Sequence, residues 1–284
     1  MVRQEIEHAI NLLKSGQPDA VEQALTLLQN SVFSFSMRVC QQKEDAEDTM
    51  QEVLVKSLPY LNKFDSPRAL VVWLYKVAKN RCLMTRRRSK FAPKQELSLD
   101  ELMPDRGDLE HLVSTGPINP EMLAVRGEEA QRLRDAVQKL PPEYRIVLVL
   151  RDMEGLTDEE VAEITGLRRG TVRVRLHRAR LFVRKQFMQQ EKRPRVSKQP
   201  TRPRGCKQMF AELSEYLDDE LNPALCEQLE AHLDDCEPCQ AFVSNLESTV
   251  EHLRKFPQEK LDPETAAALR KQLVSLQAEL LQER

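Results

Sequence analysis

The sequence predicts an all-α protein: two small helical domains joined by a flexible linker, then a small helical C-terminal module. Three observations carry this. Gly is scarce, 8 of 284 residues, and aromatics make up 5%, which argues against β-sandwiches and Gly-loop nucleotide folds. Leu, Gln, Glu, Arg and Ala are abundant and favour helices. Apolar residues recur three and four positions apart over most of the chain. At roughly 100–200 residues per domain, the length suits two or three domains.

The first domain is expected over residues 1–90. Ile6, Ile10 and Leu13 share one helical face, and Val21, Leu25 and Leu28 repeat it; Ser15-Gly16-Gln17-Pro18 breaks the two. A third helix starts near Lys43-Glu44-Asp45, where carboxylates suit the positive end of the helix dipole. Asp65-Ser66-Pro67 starts a fourth, because Pro fits the first helical position after a capping Asp or Ser. Its face Leu70, Trp73, Leu74, Val77 is apolar. Residues 91–127 lack periodicity, carry Pro93, Pro104, Pro117 and Pro120, and read as an acidic, extended or disordered linker.

Helical order returns over 128–190. Leu140-Pro141-Pro142 marks a boundary, and Tyr144–Leu150 a short buried helix ending near Gly155. Thr157-Asp158-Glu159-Glu160 has the form of a capping box. The short helix after it ends at Gly166, which can take the left-handed conformation of a tight turn. A longer helix follows from about Arg169. Residues 191–205, with three Pro and six Lys/Arg, are a basic linker, and 206–284 the last module. Within it Leu269, Leu273, Leu276 and Leu280 form an amphipathic stripe, expected to dock on the chain's own domains.

The net charge of −2 hides a segregation: about +8 through residue 205 and about −10 after it. Residues 66–95 hold nine Lys/Arg and no Asp/Glu, and 167–195 eleven Lys/Arg and one Glu. Two basic segments ahead of an acidic module suit a polyanion binder carrying an internal mimic of its target.

The stretch TDEEVAEITGLRRGTVRVRLHRARL is a helix-turn-helix pattern. A small residue (Ala162) and apolar anchors (Val161, Leu167, Val172, Leu176) suit two helices crossing steeply. Arg173, His177, Arg180 and Arg184 are then expected on one outward stripe of the second helix, flanked by Arg169, Arg175 and Arg178. Major-groove docking uses such a face, since phosphates supply affinity and Arg can fork onto guanine.

At this point the chain resembles a known family. Leu140-Pro141-Pro142-Glu143-Tyr144-Arg145 through GTVRVRLHRAR is similar to region four of bacterial sigma-70 factors of the extracytoplasmic-function (ECF) type. EDAEDTMQEVLVKSL, then LNKFDSPRALVVWLYKVAKNRCLMTRRR, is similar to region two. The two matches stand in family order. The resemblance implies a factor that directs core RNA polymerase to promoter DNA. It implies polymerase contact at Asp45, Asp48, Gln51 and Glu52. It implies −10 contact at Trp73, Lys79, Asn80, Arg81, Arg86, Arg87 and Arg88, although a core place suits Trp73 as well. It implies −35 contact at Arg168, Arg169, Thr171, Arg173, Arg175, His177 and Arg178. Val174 stands where many members carry a polar residue.

Of six Cys, Cys40 and Cys82 lie in apolar helical settings and are expected as buried small hydrophobes. His232-x3-Cys236-x2-Cys239 places three soft or borderline ligands within reach of one ion. Cys206 can supply a fourth, giving the closed Cys3His set of structural zinc. Residues 206–246 resemble the zinc-binding anti-sigma fold, including the segment LSEYLDDEL. That likeness implies a Zn2+ module able to contact the sigma domains intramolecularly. Cys226 is extra to the pattern: a spare thiol, an alternative ligand, or neither. A redox-sensitive site is one further reading.

No Ser/His/Asp set, Gly-rich phosphate loop or HExxH appears, so an enzyme is not expected. Nor is there an apolar run of about 20 residues or a leader-like N-terminus, so a cytoplasmic protein without membrane contact is expected. The alternative is a stand-alone helix-turn-helix regulator that senses metal or redox state. The acidic EDAEDTMQE helix and the basic Trp-bearing helix discriminate, because an operator binder needs neither.

Overall fold

The computed structural model describes residues 2–15, 20–40, 42–64, 66–86, 96–115, 127–188 and 206–282, and every regular element among them is helical. The chain divides into two compact units whose boundaries do not follow the sequence domains. One comprises Met1–Pro93, Val149–Leu167 and Pro257–Arg284; the other comprises Lys94–Leu148 and Arg168–Phe256.

In the first unit, α1 (Val2–Ser15) packs on α2 (Ala20–Cys40), and α3 (Lys43–Ser57) and α4 (Pro67–Arg86) pack on α2 in turn. Ile6, Ile10, Leu25 and Leu28 are buried, as their spacing predicts. A 3₁₀ helix, Leu58–Lys63, links α3 to α4. Ser66 caps α4: its Oγ accepts the Ala69 N–H at 3.2 Å, with Pro67 at the first helical position. Cys40 and Cys82 are buried, as expected, but they are joined in a disulfide rather than acting as separate apolar residues. The α2–α4 packing brings their Cα atoms to 5.1 Å, a proximity that sequence spacing does not encode.

The same unit contains α9 (Asp158–Thr165) and α14 (Pro263–Gln282), which Lys94–Leu148 and Arg168–Phe256 of the second unit separate from α4 along the chain. Thr157 and Glu160 form the predicted capping box, and Gly166 ends α9 at φ 75°. Leu269 and Leu273 of α14 are buried where it packs on α2, α3 and the 3₁₀ helix. The side chain of Leu280 lies outside the described residues.

The second unit corrects the linker expectation. Within 91–127, α5 (Leu99–Leu102) and α6 (Arg106–Thr115) form, and Leu102, Met103, Leu109 and Leu112 enter a core. Asp105 and Asp108 cap each other's backbone N–H groups at the start of α6. The core is completed by Leu181 of α10 (Arg169–Met188), Phe210 and Leu213 of α11 (Cys206–Leu217), Leu229 of α12 (Pro223–Asp235), and Phe242, Val243 and Leu246 of α13 (Glu237–Arg254). Leucines spaced too irregularly to announce a helix become core once α13 lies beside α6. The unit also holds α7 (Gly127–Lys139) and α8 (Pro142–Leu148); the π-helical turn that follows in the chain, Val149–Met153, belongs to the first unit.

Candidate nucleic-acid interface and metal centre

Helix α10 carries the basic stripe, and the stripe is not outward. His177, Arg180 and Arg184 are only 6%, 0% and 4% exposed. The spacing is helical as expected, but the face is occupied by the acidic C-terminal module. Arg180 forks onto Asp218, Nη1 to Oδ2 at 2.8 Å and Nη2 to Oδ1 at 2.9 Å. Arg254 donates to the same carboxylate at 2.7 Å. Arg173 pairs with Glu220 and lies 3.6 Å from Glu215. His177 Nδ1 is 3.0 Å from Ser214 Oγ, and Arg184 lies 3.9 Å over the Phe242 ring. Such pairing compensates guanidinium groups that would be costly to bury alone. Burial, with Arg180 and Arg178 nearby, lowers the His177 pKa to about 4.

The remaining −35 candidates are more open. Arg168, Arg169 and Thr171 are exposed at the start of α10. Arg175 is half-buried, bonded to Glu143 at 2.9 Å and lying over the Tyr144 ring. Arg178 is half-buried, and Val174 is exposed on the same helix.

On α4, Trp73 is half-buried against Tyr60 and Phe64, whose rings lie 6.3 and 5.9 Å away. These two aromatics were not among the expected site residues. The signal was the Pro-Tyr-Leu-Asn-Lys-Phe stretch just ahead of α4, which a one-helix window leaves out. Asn80 is exposed, and Arg81 Nε forms an ion pair with Glu52 Oε2 at 2.8 Å. An expected DNA contact thus meets an expected polymerase contact across α3 and α4. Lys79 donates to the Ile164 carbonyl at 2.8 Å. The side chain of Arg86, and Arg87 and Arg88 entirely, lie outside the described residues. Of the α3 candidates, Asp48 is exposed, Asp45 half-buried, and Gln51 reaches Gln272 of α14 at 3.4 Å. Lys56 and Arg81 hold the Glu52 carboxyl low against desolvation.

The metal candidates converge. His232 in the last turn of α12, Cys236 at the junction and Cys239 in the first turn of α13 present ligand atoms within 4.8 Å of one another. His232 Nε2 and Cys239 Sγ are 3.3 Å apart. A tetrahedral zinc with bonds of roughly 2.0 Å to N and 2.3 Å to S needs ligand separations of about 3.5 Å, so the donor set fits. Cys206 opens α11, but its side chain lies outside the described residues. Cys226 is not in this group; its thiol lies 3.4 Å from Glu230 Oε1, and desolvation together with that carboxylate pushes its pKa up. A thiol kept protonated is a poor redox trigger.

Comparison with known proteins finds three family matches along the chain. Residues 25–91 match the Sigma-70 region 2 family, 130–183 the Sigma-70 region 4 family and 206–240 a zinc-finger family. The ECF RNA polymerase sigma-E factor of Escherichia coli K12 is 31% identical over 145 residues, covering 48% of this chain and 70% of that one. The ECF sigma factor SigW of Bacillus subtilis is 28% identical over 182 residues, 64% of this chain and 96% of that one. SigE of Mycolicibacterium smegmatis is 32% identical over 154 residues, 54% of this chain and 56% of that one. The helical plan and these matches define a transcription initiation factor rather than an enzyme. The chain belongs to the ECF family of RNA polymerase sigma factors.

Proposed function

We propose that this chain directs bacterial core polymerase to promoters and is held inactive in cis by its own C-terminal module. The observation that carries the regulatory part is the fork of Arg180 onto Asp218, on the face where region four would meet the −35 element. Glu215, Asp218 and Glu220 stand where phosphates would otherwise sit. In this reading α14 covers the polymerase-binding surface around Gln51 in the same way. Zn2+ held by Cys206, His232, Cys236 and Cys239 clamps α11, α12 and α13 into the shape that presents those carboxylates. When bound, the ion supplies structure and no reaction step. The chain would act in the cytoplasm; among the described residues no helix is long and apolar enough to cross a membrane.

Run-off transcription with core polymerase tests this, comparing the full chain with one ending at Gly205 on template from upstream of its own gene. Stronger initiation by the shortened chain supports a built-in brake. Activity from the full chain alone makes the zinc module an activating or stabilising part. Absence of both initiation and polymerase binding defeats the sigma reading in favour of an operator-binding regulator.

A further inference from the structure

The first unit holds a second contact that neither zinc nor the acidic module supplies. Glu154, in the turn after the π-helical segment, is fully buried among residues of the N-terminal helices. Arg38 Nη1 donates to its Oε1 at 2.7 Å, and the Tyr75 hydroxyl to its Oε2 at 2.7 Å. Arg38 also reaches the Pro257 carbonyl at 3.0 Å. Helix α9 follows directly and packs along α4. Its Glu163 lies 3.5 Å from Arg68, its Glu160 lies 3.8 Å from the same guanidinium, and its C-terminal carbonyl, Ile164, takes the Lys79 ammonium. Val71, Val72, Val161 and Ile164 are buried. The rim of α9 and its carbonyl end thus offer negative charge and acceptors to a basic face of α4.

We infer that residues 149–167 form a lock on region two, in which Glu154 is the plug, Arg38 and Tyr75 the socket, and α9 takes the place of nucleic acid on Arg68 and Lys79. The inference rests on the reading of α4 as a DNA-binding helix. A buried carboxylate held by two donors makes the docked position specific, because any other position leaves the Arg38 charge buried without it. The lock and single-stranded DNA compete for Lys79, so each must weaken the other by the same factor.

The test uses the full chain and its Glu154→Gln variant, which replaces a carboxylate with a neutral isostere and leaves Arg68 and Lys79 of α4 unaltered. Two readouts are taken: binding of a fluorescent single-stranded oligodeoxynucleotide from the upstream non-template strand, and amide hydrogen exchange over 157–165. The expected result is faster exchange in that segment with unchanged helix content, and oligonucleotide binding tightened by about fivefold or more. Adding oligonucleotide to the unaltered chain should speed the same exchange. Unchanged exchange in a folded variant overturns the lock, as does faster exchange without tighter binding where the unaltered chain binds. If Glu154→Gln loses helix content, Glu163→Lys, on an exposed side chain that then repels Arg68, is read in its place with the same outcomes. If no form binds the oligonucleotide while 157–165 still opens, the DNA-binding reading of α4 fails and the docking contact stands.

Discussion

Asp218 takes two cations at once, and Arg180 has almost no exposure to solvent. Asp218→Asn keeps the shape and removes the charge. Breaking one partner of a buried pair costs roughly 3–5 kcal/mol. We expect the variant to weaken the module's hold on α10 and to tighten binding of −35 duplex DNA, read by fluorescence anisotropy. His177 gives the docked state a pH dependence. Its pKa falls from 6.5 to about 4 on burial, so the folded form refuses a proton that the unfolded chain accepts. The resulting stability is fully present above pH 6.5 and is lost as pH falls towards 4. At pH 5 the loss is at most about 2 kcal/mol. Thermal unfolding at pH 7 and pH 5 should show a larger drop for the natural chain than for His177→Gln, whose other titrations are the same. Both predictions turn on residues whose type and spacing are plain in sequence, but whose partners, Asp218 and Ser214, lie more than 30 positions away.

Among elements, α9 was the most legible. Thr157, Glu160 and Gly166 state its start and end, and local hydrogen bonds and one positive φ are all that is required. Thr157→Ala should cost about 1 kcal/mol through loss of the cap. Gly166→Ala should cost a similar amount or more from the left-handed backbone alone, since a Cβ there meets open space. Urea midpoints measure both. The candidate metal junction of α12 and α13 was legible for the same reason, because His232, Cys236 and Cys239 are close in sequence. Chelation should remove one zinc per chain and reduce helicity at 222 nm; unchanged helicity would sink the clamp role of the ion. The stretch 97–115 was not legible. Its leucines show no sustained period, and its two short helices exist because α10 and α13 cover them.

At the scale of the whole molecule, the compact units cut across the sequence domains. Residues 149–167 cluster with the N-terminal helices, and so does the segment from Pro257 onward. That segment ends in α14, whose Leu269 and Leu273 are buried and whose Gln272 meets Gln51. A chain ending at Phe256 should therefore bind core polymerase more tightly than the full chain in a pull-down at equal concentration. Equal binding would remove α14 from the regulatory reading.

By itself, the sequence determined the helical class, the two sigma regions in order, the capped helix-turn-helix and the His-x3-Cys-x2-Cys donor set. All of these rest on residues within one or two turns of each other, where helix period and backbone chemistry act. The tertiary structure alone decided that α10 turns Arg180 and Arg184 inward, that Lys79 meets α9, that Cys40 meets Cys82, and that an apparent linker helps build a core. Each joins residues far apart in the chain. Burying a charge is favourable only when a partner arrives with it, and no local pattern names that partner.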